Sequence, residues 1–466
     1  MDDSSKKTGS LSRRRLLQGA GAAAAALAFP HLWLPKAAYA QTAGRGAVKH
    51  LIYIRLSGGF RFSAAFNGDV DAQFNPFGHS RQKAQGTEWG ASELLERASW
   101  LDGEAGRARA ALGMKRVTEI SNEICVLPCV DHEPFSNRAD GNHGTGLERY
   151  LTGYVGGSTA FLTYLNWGLR DRPVAQGQLR LPAFSLGDAG MATGSGVYAA
   201  YRPPVIEGAG FGSFGFDAES SLPAWATQIA RGRDERLRAR VHPQLRAPIE
   251  AYQQSREDAA AYGEIFRSEL LQVARRSTQE TDGISNAQLL ELFGDNTTGR
   301  RAALALRLFH FGCPAVFFNE GGYDLHSGEQ GALPGAMDNL NRLVSGLHAA
   351  LKRMRHPEGG TYWDKTLVVL GSEFGRSTGG QRFNSAGGSD HGSDNATRWM
   401  SMPFMGGVIT AAGKGGKTLG STRRSDLKAE GQVYAYRAVL KTLMDLLGAD
   451  HAGVFPADAP FGDLFA

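Results

Sequence analysis

Residues 366–376 read Thr-Leu-Val-Val-Leu-Gly-Ser-Glu-Phe-Gly-Arg, a short apolar run followed directly by polar residues. The run Leu367–Leu370 is apolar throughout and rich in β-branched residues, which is typical of a strand buried on both faces of a parallel sheet. Glu373 and Arg376 follow the glycine that ends the run. Because ligands collect at the carboxyl edge of open α/β sheets, this stretch predicts an α/β fold with a polar site at that edge.

The loop after this strand carries a second polar group. Residues 388–392 read Gly-Ser-Asp-His-Gly, and the small residues around Asp390 and His391 allow the loop to fold back beside Glu373. Two carboxylates and an imidazole at one edge of a sheet are typical of a metal site or an acid–base site. A polar turn after a core strand would explain the same residues without any ligand.

A second stretch shows the same order of features. The apolar run Ala315–Phe318 is closed by Asn-Glu-Gly-Gly and followed by Tyr-Asp-Leu-His, which ends at His326. Asp324 and His326 are two residues apart, so in extended backbone both side chains leave on the same side. A carboxylate next to an imidazole supplies half of a divalent metal site. Two such stretches favour a functional site over a pair of polar turns.

The composition indicates a globular protein with heavy use of turns. The chain has 466 residues, of which 42% are hydrophobic, 21% are charged and 61 are glycine, and these proportions are ordinary for a folded domain. The net charge is only +5. The arginine-rich stretch 231–240 also contains Asp234 and Glu235, so we interpret it as a solvated helix face. We therefore expect no nucleic-acid partner.

The amino terminus has the pattern of an export signal. Ser-Arg-Arg-Arg-Leu-Leu at 12–17 precedes an Ala/Gly-rich apolar segment at 19–29, and Ala-Tyr-Ala stands at 38–40. This order is typical of a twin-arginine (Tat) signal, and the apolar segment is too short to span a bilayer stably. We predict a signal peptide over 1–40, passage through the Tat translocase, and a periplasmic or extracellular protein. No later stretch approaches the ~18 apolar residues of a membrane span.

The three cysteines do not indicate a disulfide scaffold. In a strand, Cys125 and Cys129 would lie ~13 Å apart, whereas a disulfide requires Cα atoms within ~7 Å. We therefore expect both, like Cys313, to act as small buried hydrophobic residues.

Apolar periodicity along the remaining chain predicts strands separated by helices. We expect one α/β domain over 41–466 with a doubly wound sheet, in which 223–300 forms a helical insertion or cap. The predicted strands are 48–56, 124–127, 315–318 and 367–370. The predicted helices are 91–120, 148–151, several within 223–310, 334–355 and 432–447, with loops and short strands over 156–222.

The motifs together resemble a bacterial family known by the placeholder DUF1501, which is itself similar to the alkaline phosphatase and sulfatase superfamily. The resemblance rests on the twin-arginine start and on four motifs: Leu-Ser-Gly-Gly at 56–59, Gly-Gly-Tyr-Asp-Leu-His at 321–326, Ser-Glu-Phe-Gly-Arg-Ser at 372–377 and Gly-Ser-Asp-His-Gly at 388–392. It implies a three-layer α/β/α sandwich with a mostly parallel sheet. It also implies metals at the carboxyl edge that hydrolyse phosphate or sulfate esters.

Carried over by position, the resemblance assigns roles to individual residues. Asp324 and His326 correspond to ligands of one metal, Glu373 to a ligand of a second metal, and His391 with Asp390 to a late ligand. A further histidine of the family is matched by His143. The usual serine of the family is replaced by Asn142, which leaves Thr145 as the hydroxyl candidate for the nucleophile.

The sequence departs from the family pattern after the first Gly-Gly, where Phe60-Arg61 stands in place of the usual Asp. A cation at that position would repel a divalent metal, whose ligands must be neutral or anionic. Three interpretations stay open: a single metal, Arg61 as an anion clamp in place of a metal, or a site without catalysis.

The leading hypothesis is an exported hydrolase of small phosphate or sulfate esters with Zn, Ca, Mg or Mn as cofactor. In it, Arg376 and Arg61 neutralise the anionic group, Glu373 binds a second metal or acts as general base, and Thr145 or a water attacks. The rival hypothesis is a non-catalytic exported binding or assembly protein of the same fold. Proteins of this family are frequently encoded beside an exported DUF1800-type protein, which would suit an assembly role as its partner.

Overall fold

The computed structural model describes residues 44–80, 83–132, 139–172, 181–207, 224–240, 263, 265–376, 389–392 and 394–465. The predicted signal peptide, 1–40, lies outside the described residues. Residues 42–466 form one compact unit. Its buried apolar side chains make up one large cluster around a central sheet, together with a small satellite cluster.

The central sheet has eight strands. Their spatial order is β12-β2-β9-β8-β1-β7-β3-β4. The strands are β1 His50–Leu56, β2 Ile124–Asp131, β3 Phe184–Leu186, β4 Val205–Ile206, β7 Ala315–Glu320, β8 Thr366–Gly371, β9 Trp399–Met405 and β12 Tyr434–Ala435. Two small ribbons pair β5 Glu280–Thr281 with β6 Ile284–Ser285, and β10 Ser421–Thr422 with β11 Ala429–Glu430.

Ten α-helices are described. They are α1 Gly103–Ala111, α2 His143–Thr152, α3 Phe161–Gly168, α4 Ala224–Arg240, α5 Asn286–Phe293, α6 Thr297–His310, α7 Glu329–Arg353, α8 Asn395–Arg398, α9 Gly407–Ala411 and α10 Tyr436–Leu446. Short 3-10 helices occupy Phe62–Ala64, Lys83–Gln85, Glu93–Glu96, Ser99–Leu101, Val117–Glu123, Ala189–Ala192, Gly196–Tyr201, Glu269–Leu271, Val273–Arg275 and Trp363–Lys365.

Strand β1 shows why the sheet has helices on both faces. Every residue of β1 is buried, so neither face of the sheet meets water there. Tyr53 contacts rings of α2 and α3, and its hydroxyl bonds to the Tyr436 hydroxyl of α10. His50, three residues earlier and therefore on the other face, stacks on Phe309 of α6. The protein is thus a mixed α/β fold with helices against both sides of a mostly parallel sheet.

One strand runs against the others. Strands β1, β7 and β8 are mutually parallel, whereas β9 is antiparallel to both β8 and β2. Since β9 reverses the direction twice, β2 again runs parallel to β8. The carboxyl ends of β1, β2, β7 and β8 therefore lie at one edge of the sheet, as expected from the sequence.

The sequence-based prediction of elements needs four corrections. Residues 91–120 contain one helix, α1, between short 3-10 helices, because glycine and charged residues interrupt the apolar face there. Helix α2 begins earlier than predicted, since the Asn142 side chain caps it. Helix α3 lies within 156–222, where only loops and short strands were expected. Strand β9, which contains Pro403, was not predicted.

The predicted insertion 223–300 is described only in part. Helix α4 lies in its first part, and residues 241–262 and 264 lie outside the described residues. Helix α5, near the end of the insertion, buries Leu289, Leu290 and Phe293 in the main apolar cluster. The last part of the stretch therefore belongs to the core layer of the fold.

The cysteines are free and buried, as predicted. Burial raises the pKa of Cys125 and of Cys129 to about 12. Among the described residues, no helix has the length and apolar character that crossing a membrane requires.

Candidate metal centre

The candidate site is built from loops that follow three strands at the carboxyl edge. His143 comes after β2, Asp324 and His326 come after β7, and His391 lies in the loop between β8 and β9. One ligand atom from each of these four side chains lies within 4.8 Å of the other three. The structure thus brings together residues that are up to 248 positions apart (391 − 143).

His143 is oriented by helix α2, where it is the first helical residue. The Asn142 side chain accepts hydrogen bonds from the backbone N–H groups of Gly144 and Thr145, which fixes the start of the helix. The His143 Nε2 atom lies 3.4 Å from Asp324 Oδ2, and its Nδ1 atom lies 3.6 Å from Glu373 Oε1. Nε2 is buried and has no hydrogen-bond partner among the described residues.

His326 and His391 meet through their Nε2 atoms, which are 3.2 Å apart. His326 Nε2 also lies 2.9 Å from Asp324 Oδ1, and His326 Nδ1 lies 3.2 Å from Asp390 Oδ1. His391 makes a hydrogen bond to the backbone of Gly141. The Nε2 atoms of His143 and His326 therefore face the carboxylate of Asp324, and the Nε2 atom of His391 contacts that of His326.

Glycines make this close approach of loops possible. Gly58 has a φ of +102°, and a Cβ on it would lie 2.8 Å from the Asp324 Cβ atom. A Cβ on Gly141 would lie 2.7 Å from the backbone of His391. Any side chain at either position would push a ligand-bearing loop away from the centre.

Glu373 and Asp390, which the sequence analysis placed among the metal ligands, lie outside the four-residue cluster. Glu373 faces His143 Nδ1, on the far side of the ring from Asp324, and its Oε1 accepts a hydrogen bond from Gly58 N at 2.7 Å. Asp390 faces His326 Nδ1 in the same way. Both carboxylates therefore act as outer partners that orient an imidazole, an arrangement common at metal sites.

Arg376 is buried beside the candidate centre and is bonded to protein groups. Its side chain is fully buried. Nη1 donates to Asp324 Oδ1 at 2.6 Å and to Gly58 O at 2.8 Å. Nε and Nη2 donate to the hydroxyl and the carbonyl of Ser389. Arg376 thus joins the loops after β1, β7 and β8 and holds Asp324 in place.

Arg61 is likewise buried, and its charge is compensated within the protein. Its Nη1 atom lies 2.5 Å from Glu329 Oε2 at the start of α7. Glu329 Oε1 in turn accepts from the Ser389 hydroxyl. Arg61 is 2% exposed, and Glu329 pairs with its Nη1 atom, whereas its Nε and Nη2 atoms are buried without a hydrogen-bond partner among the described residues. Its predicted repulsion of a metal is also offset by the carboxylate of Glu329.

Thr145 lies in the first turn of α2 but contacts a different carboxylate. Its hydroxyl donates to Asp140 Oδ2 at 2.5 Å, and Arg149 donates to the same oxygen. Burial alone would raise the pKa of Asp140, but the bonds from Thr145, Asn142 N and Arg149 lower it. The described contacts hold the Thr145 hydroxyl on Asp140.

The electrostatics keep the carboxylates ionised. Burial would raise the pKa values of Asp324 and Glu373, yet both are lowered, by Arg376 for Asp324 and chiefly by His143 for Glu373. The Glu373 contact raises the pKa of His143. Burial, with His143 and Arg376 nearby, lowers the pKa of His391 and so favours its neutral, ligating form.

Two residues of this network were not found by sequence reasoning. Ser389, next to Asp390, connects Arg376 with Glu329, and Glu329 neutralises Arg61. The position of Ser389 beside Asp390 was a usable signal. No local pattern connects Arg61 with Glu329, because they are 268 residues apart in the chain.

These features define a mixed α/β protein with a candidate centre of three histidines and one aspartate at the carboxyl edge of its sheet. The chain belongs to the family described as "Protein of unknown function (DUF1501)", whose model matches residues 49–462. The predicted family is therefore confirmed. No functionally curated protein matches the chain at a significant level.

Two solved structures show distant similarity to the chain. The chain is similar to the protein in "Crystal structure of Ps i-CgsB in complex with k-i-k-neocarrahexaose", with a TM-score of 0.35 and 12% identity over 88% of this chain and 73% of that one. A second structure, "Crystal structure of Ps i-CgsB", gives a TM-score of 0.30 with the same identity and coverage.

Proposed function

We propose that this protein is an exported, metal-dependent hydrolase of small phosphate or sulfate esters, with an alkaline-phosphatase-like α/β/α fold. The observation that carries the proposal is the convergence of His143, Asp324, His326 and His391 within 4.8 Å at the carboxyl edge. Metal-assisted ester hydrolysis is the chemistry that such a centre serves at this position of an α/β sheet. The proposal includes export by the Tat pathway to the periplasm or beyond.

The donor set fits a divalent metal. His326 faces a carboxylate with each of its two nitrogens, and His143 does the same. A neutral imidazole has one N–H and one lone pair, so each ring can donate to only one of its two carboxylates. When the outer carboxylates take the N–H groups, the Nε2 lone pairs of both rings face Asp324. A cation between them satisfies this arrangement.

The same donor set narrows the choice of metal. Three imidazole nitrogens and one carboxylate oxygen are typical ligands for Zn²⁺ and for other transition metals. Ca²⁺ and Mg²⁺ prefer oxygen ligands alone. We therefore favour one Zn²⁺-like ion over the Ca²⁺ and Mg²⁺ that the sequence left open. With Glu373 turned toward His143, the proposal contains no second metal.

Within this proposal, each neighbouring residue has a defined task. A divalent metal at the centre would polarise an oxygen of the ester. Glu373 and Asp390 hold the N–H protons of His143 and His326 and fix the direction of both rings. Arg376 holds Asp324 against the loop at Gly58. Thr145 or a water molecule is the candidate nucleophile, with Asp140 as the acceptor of the Thr145 proton.

Turnover of chromogenic esters tests the proposal. Purified protein would be assayed with p-nitrophenyl phosphate and p-nitrophenyl sulfate before chelation, after chelation, and after reloading with Zn²⁺ or Mg²⁺. We expect activity on at least one ester that chelation removes and Zn²⁺ restores. We also expect it to be absent in Asp324→Ala and unchanged in His356→Ala, a histidine remote from the site. Turnover that ignores the metal, or no turnover of either ester, would contradict the hydrolase.

A second candidate is a non-catalytic exported binding or assembly protein with a DUF1800-type protein as its partner. It is favoured by one observation: Arg61, Arg376 and Thr145 are all engaged by protein groups. Metal binding without turnover of either ester, together with co-purification of an exported partner, would support this candidate.

A further inference from the structure

A buried arginine beside the candidate centre has no hydrogen-bond acceptor among the residues that the structure describes. Arg55, near the end of β1, is 9% exposed. Its Nε and Nη1 atoms are buried without a hydrogen-bond partner, as judged over the described part of the chain. Its nearest carboxylate oxygen, Asp188 Oδ2, lies 3.7 Å from Nη2, beyond hydrogen-bonding distance. Buried guanidinium groups are normally paired and fully hydrogen-bonded.

Asp188 is already engaged by other groups. Its Oδ1 accepts a hydrogen bond from Gly190 N at 2.8 Å, and its Oδ2 accepts one from Asn319 Nδ2 at 2.8 Å. These bonds fix the carboxylate at a distance from Arg55. Asp188 therefore offsets the charge of Arg55 in part but does not satisfy its donors.

A second guanidinium reaches the same place. Arg301 of α6 lies over Gly187, where a Cβ would come within 1.9 Å of Arg301 Nη2, so only glycine admits this side chain. Its Nε atom is also buried without a partner among the described residues. Burial lowers the pKa of Arg301, and the charges of Asp188 and of the exposed Glu207 oppose this shift. The Arg301 side chain is partly buried, and its Nη1 atom donates to Asn319 O at 3.5 Å. The buried Arg55 and the partly buried Arg301 thus both lie near the carboxylate of Asp188.

The location of this pair relates it to the candidate centre. In the sheet register Arg55 lies between Asn319 of β7 and Gly371 of β8. Glu373, which contacts His143, follows two residues after Gly371. The positive charge of Arg55 helps to lower the pKa of Glu373. The arginine pair therefore adjoins the four-residue cluster at the same edge of the sheet.

We propose that Arg55 and Arg301 form a subsite for a tetrahedral oxyanion, the phosphate or sulfate group of the substrate. Guanidinium N–H groups form charge-assisted hydrogen bonds with such oxygens, and an anion also compensates the second positive charge, which a water molecule cannot do. As the anion-binding part of the proposed hydrolase, this subsite rests on the proposed function. Arg376 cannot fill this role, because protein groups accept from its Nε, Nη1 and Nη2 atoms.

Calorimetric titration with inorganic phosphate and with inorganic sulfate tests the subsite. The anions would be titrated into chelated and Zn²⁺-loaded forms of the wild type, Arg55→Gln, Arg301→Gln and Arg300→Gln. Arg300 is the matched control, because it neighbours Arg301 on α6 but pairs with Asp295 at the surface. We expect each of the first two variants to weaken binding at least tenfold and Arg300→Gln to leave it unchanged. The tighter of the two anions identifies the ester class.

A further variant and a measurement of metal content distinguish misfolding of a variant, absence of the subsite and absence of the metal centre. Arg55→Lys is a second variant for the case that Arg55→Gln folds poorly. Because it keeps a positive charge at this position, it should bind the anions more tightly than Arg55→Gln. Wild type that binds neither anion, or variants that bind as tightly as wild type, would overturn the subsite. Metal content measured in the same samples tests the proposed function separately. If the protein binds anions but no metal, the hydrolase proposal is contradicted and the subsite proposal is retained. If it binds metal but no anion, the subsite proposal is contradicted and the metal centre of the hydrolase proposal is retained.

Discussion

Two pairs of histidines lie at opposite edges of the same sheet with the same separation. His326 and His391, at the carboxyl edge, have their Nε2 atoms 3.2 Å apart. His50 and His356, at the amino edge, also have their Nε2 atoms 3.2 Å apart. In the first pair, His326 contacts the carboxylate of Asp324. Within the described part of the chain, only the first pair belongs to a cluster that could hold a metal.

The amino-edge pair satisfies itself by hydrogen bonds. His50 Nδ1 donates to Cys313 O, so its Nε2 accepts from His356 Nε2. His356 Nδ1 then accepts from Glu358 N. Every ring nitrogen has a partner of the right kind with both rings neutral. Burial against Phe309 lowers the pKa of His50 to about 3, which keeps that ring uncharged.

The carboxyl-edge pair cannot be satisfied in this way. His326 has carboxylates at both ring nitrogens, and His391 already bonds to the Gly141 backbone. The difference teaches that a short contact between imidazoles is not by itself a metal site. The carboxylates around the rings determine whether the ring nitrogens form hydrogen bonds within the core or are available to bind a cation.

The largest expected effect is a loss of metal affinity when a histidine of the carboxyl-edge pair is removed, in contrast to removal of a histidine of the amino-edge pair. His391→Ala should weaken Zn²⁺ binding by at least about 100-fold, because loss of a direct ligand exceeds the cost of losing an outer partner. His356→Ala should leave the affinity unchanged. Competition against a chelating dye measures both. Equal affinities in the two variants would remove the distinction between the pairs.

A smaller loss is expected from the outer carboxylates. Glu373→Gln and Asp390→Asn should each weaken Zn²⁺ binding about 10–100-fold while the stoichiometry stays the same, because each only orients a ligating ring. Glu358→Gln, beside His356 at the other edge, is the control and should have no effect. If either variant abolished Zn²⁺ binding altogether, that carboxylate would be a direct metal ligand, as the family resemblance implies.

The pH dependence of stability should differ between the two edges. The pKa of His50 is lowered to about 3, so the unfolded state binds more protons below pH 6.5. Its stabilising contribution is therefore lost as the pH falls from 6.5 toward 3, by up to ~1.4 kcal/mol per pH unit. His50→Gln should flatten this part of the profile in urea unfolding. An unchanged slope in the variant would show that His50 does not stay neutral.

His143 should show the opposite sign in metal-free protein. Its pKa is raised, chiefly by Glu373. Its stabilising contribution to the free energy of unfolding is therefore present below pH 6.5 and is lost as the pH rises through the raised pKa. Chelated His143→Ala should differ from wild type in unfolding free energy at pH 5.5 more than at pH 8.5. The reverse order would contradict the Glu373–His143 contact.

The sequence predicted which residues lie at the carboxyl edge of the sheet better than it predicted what each of those residues contacts there. Buried runs at 315–318 and 367–370 located strands β7 and β8, and the polar residues after them pointed to Asp324, His326 and His391. The assignment of Glu373 as an outer partner depends on which side of the His143 ring it faces. That direction is set by helix α2 and its Asn142 cap, which no spacing in the chain encodes.

Other features escaped because they depend on distant contacts. Arg61 looked like an anion clamp until its partner Glu329, far along the chain, was known. Strand β9 was missed because Trp-Met-Ser-Met-Pro-Phe-Met alternates poorly and contains a proline. It is stabilised as a strand by pairing with β2 and β8 on either side.

The metal content of the purified protein tests the central claim most directly. Protein purified without chelator would be analysed by elemental mass spectrometry, as wild type, His326→Ala and His356→Ala. The account predicts one equivalent of a transition metal in wild type and in His356→Ala, and none in His326→Ala. Metal-free wild type that also fails to bind added Zn²⁺, or equal metal in all three proteins, would contradict it.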